Sequence, residues 1–321
     1  MIRVGVAGAG YWSGPWTRVL QDSDEFELAA IVDTDAARQA RAHRRFPDAT
    51  DSLAGMDAVV VLTPVSAHYE VARTALLMGQ HVMCAKPLAS SLGEAEDLVA
   101  LAAARELVLA TDHTFVYTGA VREAKRLYDG GTLGSLLYLD SVRVNLGLFQ
   151  PDVDVLWDLA AHDISIFNHL LGCGPDIVAA TGSDPLGRGK VSGAHLNLWY
   201  GNLLAHVHVN WLSPVKVRRT LIAGDARMIV YDDMEPTEKI KLYDSGAMPR
   251  EGALMDYRSG DMLAPKLDFT EALAVECRHF AACIRGETVP VSGGVEGVAV
   301  VRVLEAASES LAAAGQRVTL A

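Results

Sequence analysis

Residues 2–16 have the sequence IRVGVAGAGYWSGPW, in which a short apolar run ends in glycines and a helical segment follows. The apolar run predicts a buried β-strand. Pro15 suits a first helical position, because the first amides of a helix have no partner within it. Gly8 and Gly10 in the turn allow the backbone to approach a ligand closely. This order of strand, glycines and helix is typical of the first unit of a doubly wound α/β fold.

The same turn is a candidate site for the pyrophosphate of a dinucleotide, because a helix N-terminus favours negative charge. Asp33 ends the second predicted strand, where a carboxylate binds the adenosine ribose and repels a 2′-phosphate, so NAD is favoured over NADP. Arg38, one turn further on, is within reach of a phosphate. Ser13 stands where the common G-x-G-x-x-G pattern has its third glycine, which here comes one residue later. The alternatives are an ordinary glycine-rich turn and, for Asp33, a helix N-cap.

Four more apolar runs follow in the first third of the chain, separated by segments of helical period. The runs are Leu28–Val32, Ala58–Leu62, His81–Cys84 and Leu107–Ala110, and the helical segments include Ser66–Met78 and Leu92–Arg105. Continuous apolar strands that alternate with helices predict a parallel sheet covered on both faces. Right-handed crossovers then give a doubly wound topology.

After about residue 115 the pattern changes to longer alternating strands with separate helices. The predicted strands are Leu136–Asn145, His195–Trp199, Leu203–Trp211, Arg218–Ala223 and Met228–Tyr231. The predicted helices are Gly119–Asp129, Trp157–Leu171, Phe269–Ile284 and Gly294–Ala314, and Gly172 is expected to end the second of them. We therefore expect a dinucleotide-binding Rossmann domain over residues 1–115. An α+β domain with a large, mainly antiparallel sheet is expected over residues 116–321. Met234–Pro265 is predicted to be a long excursion near a site or an interface.

The composition excludes several classes of protein. The 321 residues include 28 Lys and Arg against 40 Asp and Glu, a net charge of −12, so we expect no nucleic-acid partner. An uncharged apolar stretch of about 18 residues is absent, so we expect no membrane helix. The first residues lack the features of a signal peptide, and the four cysteines lack C-x-x-C spacing. Reduced, buried cysteines in a cytoplasmic protein are expected.

Short motifs along nearly the whole chain occur together. They are the Gly8 turn, TPVSAH at 63–68, GQHV at 79–82, AKPL at 85–88, GTLG at 131–134, WDLAAHD at 157–163 and the segment 280–290. With these motifs the chain resembles the Gfo/Idh/MocA oxidoreductases, which include glucose–fructose oxidoreductase and inositol dehydrogenase. The stretches 112–115 and 141–150 look most like members that act on nucleotide-linked sugars in polysaccharide or antibiotic pathways.

The resemblance implies that Lys86, Asp158 and His162 are catalytic. Lys86 matches the lysine of the family's Glu-Lys-Pro motif, and an ammonium group there stabilises a developing alkoxide. Pro87 makes the preceding bond a candidate cis peptide, whereas Ala85 departs from the family's glutamate. Asp158 and His162 match the Asp-x-x-x-His pair and share one helical face; imidazole accepts a proton near neutral pH. The alternatives are a solvated lysine and a surface ion pair.

The resemblance also implies a cofactor, a substrate and an assembly. The expected NAD-binding residues are Gly8, Gly10, Tyr11, Trp12, Ser13, Asp33, Thr63, Pro64, His68, Lys86 and Pro87. Arg143, Asn145 and Trp157 are candidate substrate contacts because they lie near the catalytic segment. We expect hydride transfer between nicotinamide and carbon 3 of a nucleotide-linked hexose, held between the carboxyl ends of the parallel strands and the second sheet. A homodimer or homotetramer built on that second sheet is expected.

Two other functions stay open at this point. One is a dehydrogenase of a free polyol, inositol or aminoglycoside. The other is a non-catalytic sensor of a bound dinucleotide, for which Ala85 and the altered glycine turn are the only support. His206 and His208 project to one face of a predicted strand, but no third ligand is suitably spaced, so packing or a subunit contact is expected instead of a metal site.

Overall fold

The computed structural model describes residues 1–147, 149–150, 152–249 and 254–320, and of Met248 and Pro249 only the backbone. The chain forms two compact units, Met1–Tyr117 with Thr270–Arg302, and Thr118–Phe269 with Val303–Ala321. The boundary between Tyr117 and Thr118 falls close to the predicted change of pattern near residue 115. Residues 270–302, however, belong to the first unit and not to the second.

The first unit contains a parallel five-stranded sheet. Its strands and helices are β1 (Ile2–Ala7), α1 (Ser13–Gln21), β2 (Phe26–Val32), α2 (Ala36–Arg45), β3 (Ala58–Val61), α3 (Val65–Leu77), β4 (His81–Ala85), α4 (Leu92–Ala104), β5 (Leu109–Asp112) and, further along the chain, α7 (Ala272–Ile284) and the start of α8 (Gly294–Ala312). The strand order is β2-β1-β3-β4-β5, with parallel neighbours. The order reverses between β1 and β3, and ligands of such sheets bind at the carboxyl ends of the strands there. The predicted doubly wound sheet is therefore confirmed.

The core of this unit explains why α7 belongs to it. The strand residues Val59 and Val60 are completely buried, as a sheet covered on both faces requires. Phe280 of α7 stacks on Phe26 of β2 with ring centroids 6.1 Å apart, and Trp16 of α1 lies in the same buried cluster. A boundary drawn on pattern alone cannot detect such a late return of the chain.

The second unit contains a nine-stranded sheet backed by helices. Its elements are α5 (Gly119–Asp129), β6 (Leu136–Leu146), a π-helical turn (Leu156–Ala160), α6 (Ala161–Leu171), β7 (Ile177–Ser183), β8 (Gly193–Tyr200), β9 (Leu203–Asn210), β10 (Leu212–Gly224), β11 (Met228–Asp232), β12 (Ile240–Pro249), β13 (Met255–Leu263) and β14 (Val318–Thr319). The strand order is β13-β12-β11-β10-β6-β9-β8-β7-β14. All neighbours are antiparallel except β6 and β9, which confirms the predicted mainly antiparallel sheet.

Two expectations about this unit meet different outcomes. Gly172 ends α6 in the left-handed conformation at φ 72°, as predicted for a C-cap. The predicted excursion Met234–Pro265 contains β12 and β13, which pair in antiparallel register and form one edge of the sheet, so it has regular structure that the sequence analysis did not predict. Edge strands tolerate the glycines and polar residues of this segment; residues 250–253 lie outside the described residues, and the nearness of the segment to a site or an interface stays a prediction.

Two properties concern the whole described chain. Among the described residues, none of the helices combines the length and apolar character needed to cross a membrane. The four cysteines are free; Cys84, Cys277 and Cys283 are buried as expected, whereas Cys173 is exposed. Cys173 follows the C-cap of α6, where the chain turns at the surface.

Candidate active site

The glycine turn after β1 depends on Gly8. Its φ is +101°, and a Cβ there would lie 2.7 Å from the carbonyl oxygen of Leu62, in the loop after β3. Gly10 is different, since a Cβ there would meet nothing within 4 Å. Ser13, in place of the third glycine, closes the turn by donating its hydroxyl to the Gly10 carbonyl at 2.7 Å. The turn is thus tightly built on one side and open on the other.

The N-terminus of α1 is free to receive an anion. No side chain caps it, and the capping position is taken by Trp12. Tyr11 and Trp12 are 77% and 58% exposed, and their rings meet edge to face. Pro15 stands third in α1 instead of first. The uncapped, partly exposed first turn of α1 therefore fits a pyrophosphate.

Asp33, which follows β2, is held by three donors. The amide of Ala9, the amide of Asp35 and Nε of Arg38 donate to its carboxylate at 2.8, 2.8 and 3.0 Å. Burial opposes its ionisation, but the hydrogen bonds from Arg38, Asp35 and Ala9 outweigh burial and lower the pKa of Asp33. The carboxylate is an anion at neutral pH, and it links the glycine turn to β2.

His68 joins two loops at the same edge of the sheet. It is 1% exposed on α3, and its ring nitrogens lie 2.9 Å from the carbonyl oxygen of Thr63 and 2.8 Å from that of Pro87. Pro64 directly precedes α3. The expected cofactor residue His68 thus lies beneath the loops and fixes their separation.

The predicted cis bond is present between Lys86 and Pro87. Lys86 is half-buried and follows β4 at the carboxyl edge. Ala85 of β4 pairs in register with Asp112 of β5. Position 85 lacks the carboxylate of the family's glutamate, but the neighbouring strand carries one at Asp112. Trp16 donates its indole N–H to this carboxylate at 2.9 Å.

Two buried ionisable residues near Asp112 were not identified by sequence reasoning. His113 is 1% exposed with both ring nitrogens buried and unpartnered among the described residues. Burial, with a further contribution from the charge of Lys86, lowers the pKa of His113 to about 3. Glu276 is completely buried, and burial followed by the charge of Asp112 raises its pKa well above the ordinary value. The stretch 112–115 quoted for the resemblance contains His113, whereas no quoted motif contains Glu276.

The other predicted catalytic residues lie in the second unit, on a segment that changes helix type. The predicted helix Trp157–Leu171 is in fact a π-turn over Leu156–Ala160 followed by α6. Asp154 caps the start, since its Oδ1 accepts the amides of Leu156 and Trp157 at 3.0 and 3.2 Å. Inserted π-turns occur often at functional sites.

Asp158 and His162 lie on either side of the junction between the two helix types. Trp211, 1% exposed, donates its indole N–H to Oδ2 of Asp158 at 3.0 Å. His162 is half-buried, with Nδ1 inside the protein, and Ser165 donates its hydroxyl to the His162 carbonyl at 2.8 Å. Sequence reasoning did not find the role of Trp211, which follows β9 and is distant along the chain.

The three expected substrate contacts have different surroundings. Arg143 is 3% exposed, and its guanidinium is bound to Asp163 of α6. Trp157 donates its indole N–H to Ser308 at 3.0 Å. Asn145 is half-buried near the end of β6. The structure therefore gives Arg143 a partner inside its own unit, while contacts of Asn145 and Trp157 with substrate stay a prediction.

His206 and His208 belong to a histidine stack on one face of the sheet. The ring of His195 lies 4.2 Å from that of His208 and 5.5 Å from that of His206, and Nδ1 of His206 lies 2.8 Å from Asp140. No group of three or more potential ligands arranged for a metal ion occurs in the described part of the chain.

The first unit thus has the features of a dinucleotide-binding enzyme of the doubly wound class. A model of the oxidoreductase family with an NAD-binding Rossmann fold matches residues 2–113. UDP-N-acetylglucosamine 3-dehydrogenase of Acidithiobacillus ferrooxidans is 30% identical over 278 residues, which cover 82% of this chain and 86% of that protein. The chain therefore belongs to the Gfo/Idh/MocA family of NAD-binding oxidoreductases.

Two further comparisons cover almost the whole chain. The solved structure of that Acidithiobacillus ferrooxidans enzyme superposes with a TM-score of 0.82 at 27% identity, covering 97% of this chain and 98% of the other. The scyllo-inositol 2-dehydrogenase (NADP(+)) of Bacillus subtilis is 27% identical over 345 residues, covering 96% of this chain and 93% of the relative. The fold of the Acidithiobacillus ferrooxidans enzyme is therefore shared over nearly the whole of this chain.

Proposed function

We propose that this oxidoreductase transfers a hydride between NAD and carbon 3 of a nucleotide-linked hexose, oxidising a hydroxyl group or reducing the keto group. The observation that carries the proposal is the 30% identity with a UDP-N-acetylglucosamine 3-dehydrogenase over 86% of its length. Lys86, Asp158 and His162, the three residues that the chemistry requires, are all present in this chain.

The residues at the carboxyl edge of the parallel sheet fit NAD. The open side of the turn at Gly10 and the uncapped start of α1 suit the pyrophosphate. Asp33 is an anion that would accept a ribose hydroxyl and repel a 2′-phosphate, which favours NAD over NADP. NAD supplies the acceptor for the hydride in the oxidative direction, and NADH supplies the donor in reverse. Tyr11 and Trp12 would cover the phosphates; the loops that His68 ties together, at Thr63–Pro64 and Pro87, would lie along the nicotinamide.

The chain's own residues then move one proton. His162 takes the proton from the sugar hydroxyl as the carbon–hydrogen bond breaks, and returns it in the reductive direction. Lys86 binds the same oxygen and stabilises the negative charge that develops on it. Asp158 orients His162 or an adjacent sugar hydroxyl, and Trp211 fixes the rotamer of Asp158. Asn145 and Trp157 are the proposed contacts for the rest of the sugar.

A free polyol, inositol or aminoglycoside is the second candidate substrate. The 27% identity with an inositol dehydrogenase over 96% of this chain favours it. A nucleotide-linked sugar also needs donors for its own pyrophosphate, which a free polyol does not require. A non-catalytic sensor is the third candidate, favoured only by Ala85.

We also propose a homodimer or homotetramer built on the open face of the nine-stranded sheet, in a cytoplasmic enzyme. Tyr138 and Leu204 are 41% and 39% exposed in neighbouring strands of this sheet, which supports an apolar contact. Free cysteines agree with a reducing compartment. Light scattering coupled to size exclusion would give the mass in solution; a strict monomer contradicts the assembly.

The decisive experiment follows absorbance at 340 nm with the purified protein. Each assay pairs NAD(H) or NADP(H) with UDP- and dTDP-hexoses, their 3-keto forms, free inositols or aminoglycosides. Turnover with a nucleotide sugar is expected, with NAD preferred. Turnover only with free polyols or aminoglycosides would replace the substrate class. Tight dinucleotide binding without any turnover would favour the sensor and make Ala85→Glu the next variant.

A further inference from the structure

We propose that Arg143 is a positioning residue, which holds α6 through a buried ion pair with Asp163 so that His162 keeps one orientation. This inference rests on the proposed function, in which His162 takes the proton of the substrate hydroxyl. It assigns to Arg143 an indirect role in place of the expected contact with substrate.

Arg143 and Asp163 contact each other through two hydrogen bonds, and this ion pair is called the clamp below. Nε of Arg143 donates to Oδ2 of Asp163 at 2.8 Å, and a terminal nitrogen donates to Oδ1 at 3.1 Å. The two side chains are 4% and 1% exposed. Ser141 donates its hydroxyl to Oδ1 at 2.7 Å and lies 3.3 Å from the hydroxyl of Thr220 on β10. One carboxylate on α6 is thus held by two side chains of β6, one of them backed by β10.

Stability alone does not explain this network. Burial opposes the charge of Arg143, and the attraction of Asp163 outweighs it and raises the pKa of Arg143. A buried ion pair of this kind contributes little net stability, because desolvation cancels most of the attraction, and apolar residues of similar volume serve equally well. A bidentate contact between a guanidinium group and a carboxylate fixes the distance and the angle between the two side chains more narrowly than apolar packing does.

The position of the pair in the chain connects it to His162. Asp163 follows His162 directly in the first turn of α6, and the π-turn lies immediately before. Trp211 holds Asp158 on the π-turn side of the junction, and Arg143 holds Asp163 on the α6 side. His162 therefore lies between two side-chain anchors, where the change of helix type would otherwise allow the first turn to rotate.

The test compares apolar replacement of this pair with the same replacement elsewhere in the sheet. Arg143→Met/Asp163→Leu removes the clamp and keeps the volume. Arg258→Met/Asp244→Leu removes a partly exposed pair between β13 and β12, with an N–O distance of 2.9 Å, at the edge of the same sheet. We expect both double variants to keep the wild-type Tm within a few degrees. Only the first should lose kcat, by about 10- to 100-fold, with KM for NAD unchanged.

Two further readouts keep the inference falsifiable. If the apolar double variant does not fold, Arg143→Lys is the second variant, because it keeps the positive charge but cannot make the bidentate contact. We expect Arg143→Lys to fold and to have a lowered kcat. The ring signal of His162, labelled at ¹³Cε1 and assigned with His162→Gln, should be single in the wild type and broadened or doubled in the clamp variants. A folded Arg143→Met/Asp163→Leu or Arg143→Lys with kcat within about twofold of wild type overturns the inference. If the wild type turns over no substrate, the proposed function fails, and the His162 signal decides: a change supports the clamp, and an unchanged signal overturns it.

Discussion

The two units hold their functional groups by different physical means. At the carboxyl edge of the parallel sheet the site is built mainly from backbone: Gly8 allows a loop to pass within contact distance of its Cα, and the ring nitrogens of buried His68 lie within hydrogen-bond distance of two backbone carbonyl oxygens. In the second unit the segment 154–163 is held by side chains, through the cap at Asp154, Trp211 on Asp158 and Arg143 on Asp163.

This difference predicts which substitutions each unit tolerates. A backbone-built site fails when a Cβ is added at a crowded position but accepts many side-chain changes. A site held by side chains keeps its fold when one anchor is truncated, yet loses the orientation that turnover requires. Dinucleotide binding and turnover should therefore respond separately to mutation.

The largest effect is expected where the chemistry itself is removed. Lys86→Ala and His162→Ala should each lower kcat by about 10²- to 10⁴-fold, because an oxyanion donor or a general base is lost. NAD binding, followed by calorimetry, should persist in both variants. Near-normal turnover in both would refute the proposed roles.

The glycine turn offers a matched pair of substitutions. Gly8→Ala places a Cβ 2.7 Å from a backbone oxygen at φ +101°, and should lower the Tm and abolish NAD binding. Gly10→Ala has no such clash within 4 Å, and should keep the Tm while weakening NAD by about tenfold, because its methyl group enters the space for the pyrophosphate. Equal effects of the two variants on Tm would contradict the division into a crowded and an open side.

Removing a side-chain anchor should have a smaller effect. Trp211→Phe keeps an aromatic ring in the buried site and removes the hydrogen bond to Asp158. We expect kcat to fall by about tenfold with the NAD dissociation constant unchanged, since the lost bond orients only the second unit's segment. Trp199→Phe, on the same sheet, is the control. If Trp211→Phe bound NAD more weakly but kept a normal kcat, the proposed role of Trp211 in orienting Asp158 would be contradicted.

The smallest effect concerns stability and pH. The pKa of Glu276 is raised in the folded protein from its ordinary 4.5, so the folded state holds a proton that the unfolded state releases. This stabilisation is complete below the unfolded pKa and is lost as the pH rises towards the folded pKa, by up to about 1.4 kcal/mol per pH unit. The Tm of Glu276→Gln should therefore rise relative to that of the wild type as the pH increases above the unfolded pKa. A difference in Tm between Glu276→Gln and wild type that does not change with pH would contradict a protonated Glu276.

The sequence predicted the parts of the fold that follow from local pattern. The glycine turn, the cis bond at Pro87 and the C-cap Gly172 each have a local chemical signature. The late return of α7 to the first unit has none, because Phe280 meets Phe26 only after the chain has folded. The edge hairpin β12–β13 was missed because exposed edge strands lack a strong apolar alternation.

The candidate site shows the same limit. Lys86, Asp158 and His162 were recognised from motifs, and Asp33 from its place after a strand. Their supporting residues come from distant parts of the chain: Trp211 lies 53 positions from Asp158. No spacing rule connects such residues, and their role appears only in the contacts of the folded chain.

One measurement tests the central claim most directly. UDP-N-acetylglucosamine deuterated at carbon 3 is incubated with the enzyme and NAD, and the NADH formed is analysed by mass spectrometry. The account predicts transfer of the deuterium to NADH, with His162→Ala giving almost none. Unlabelled NADH, or a label that stays entirely on the sugar while wild-type enzyme binds NAD tightly, would contradict hydride transfer at carbon 3.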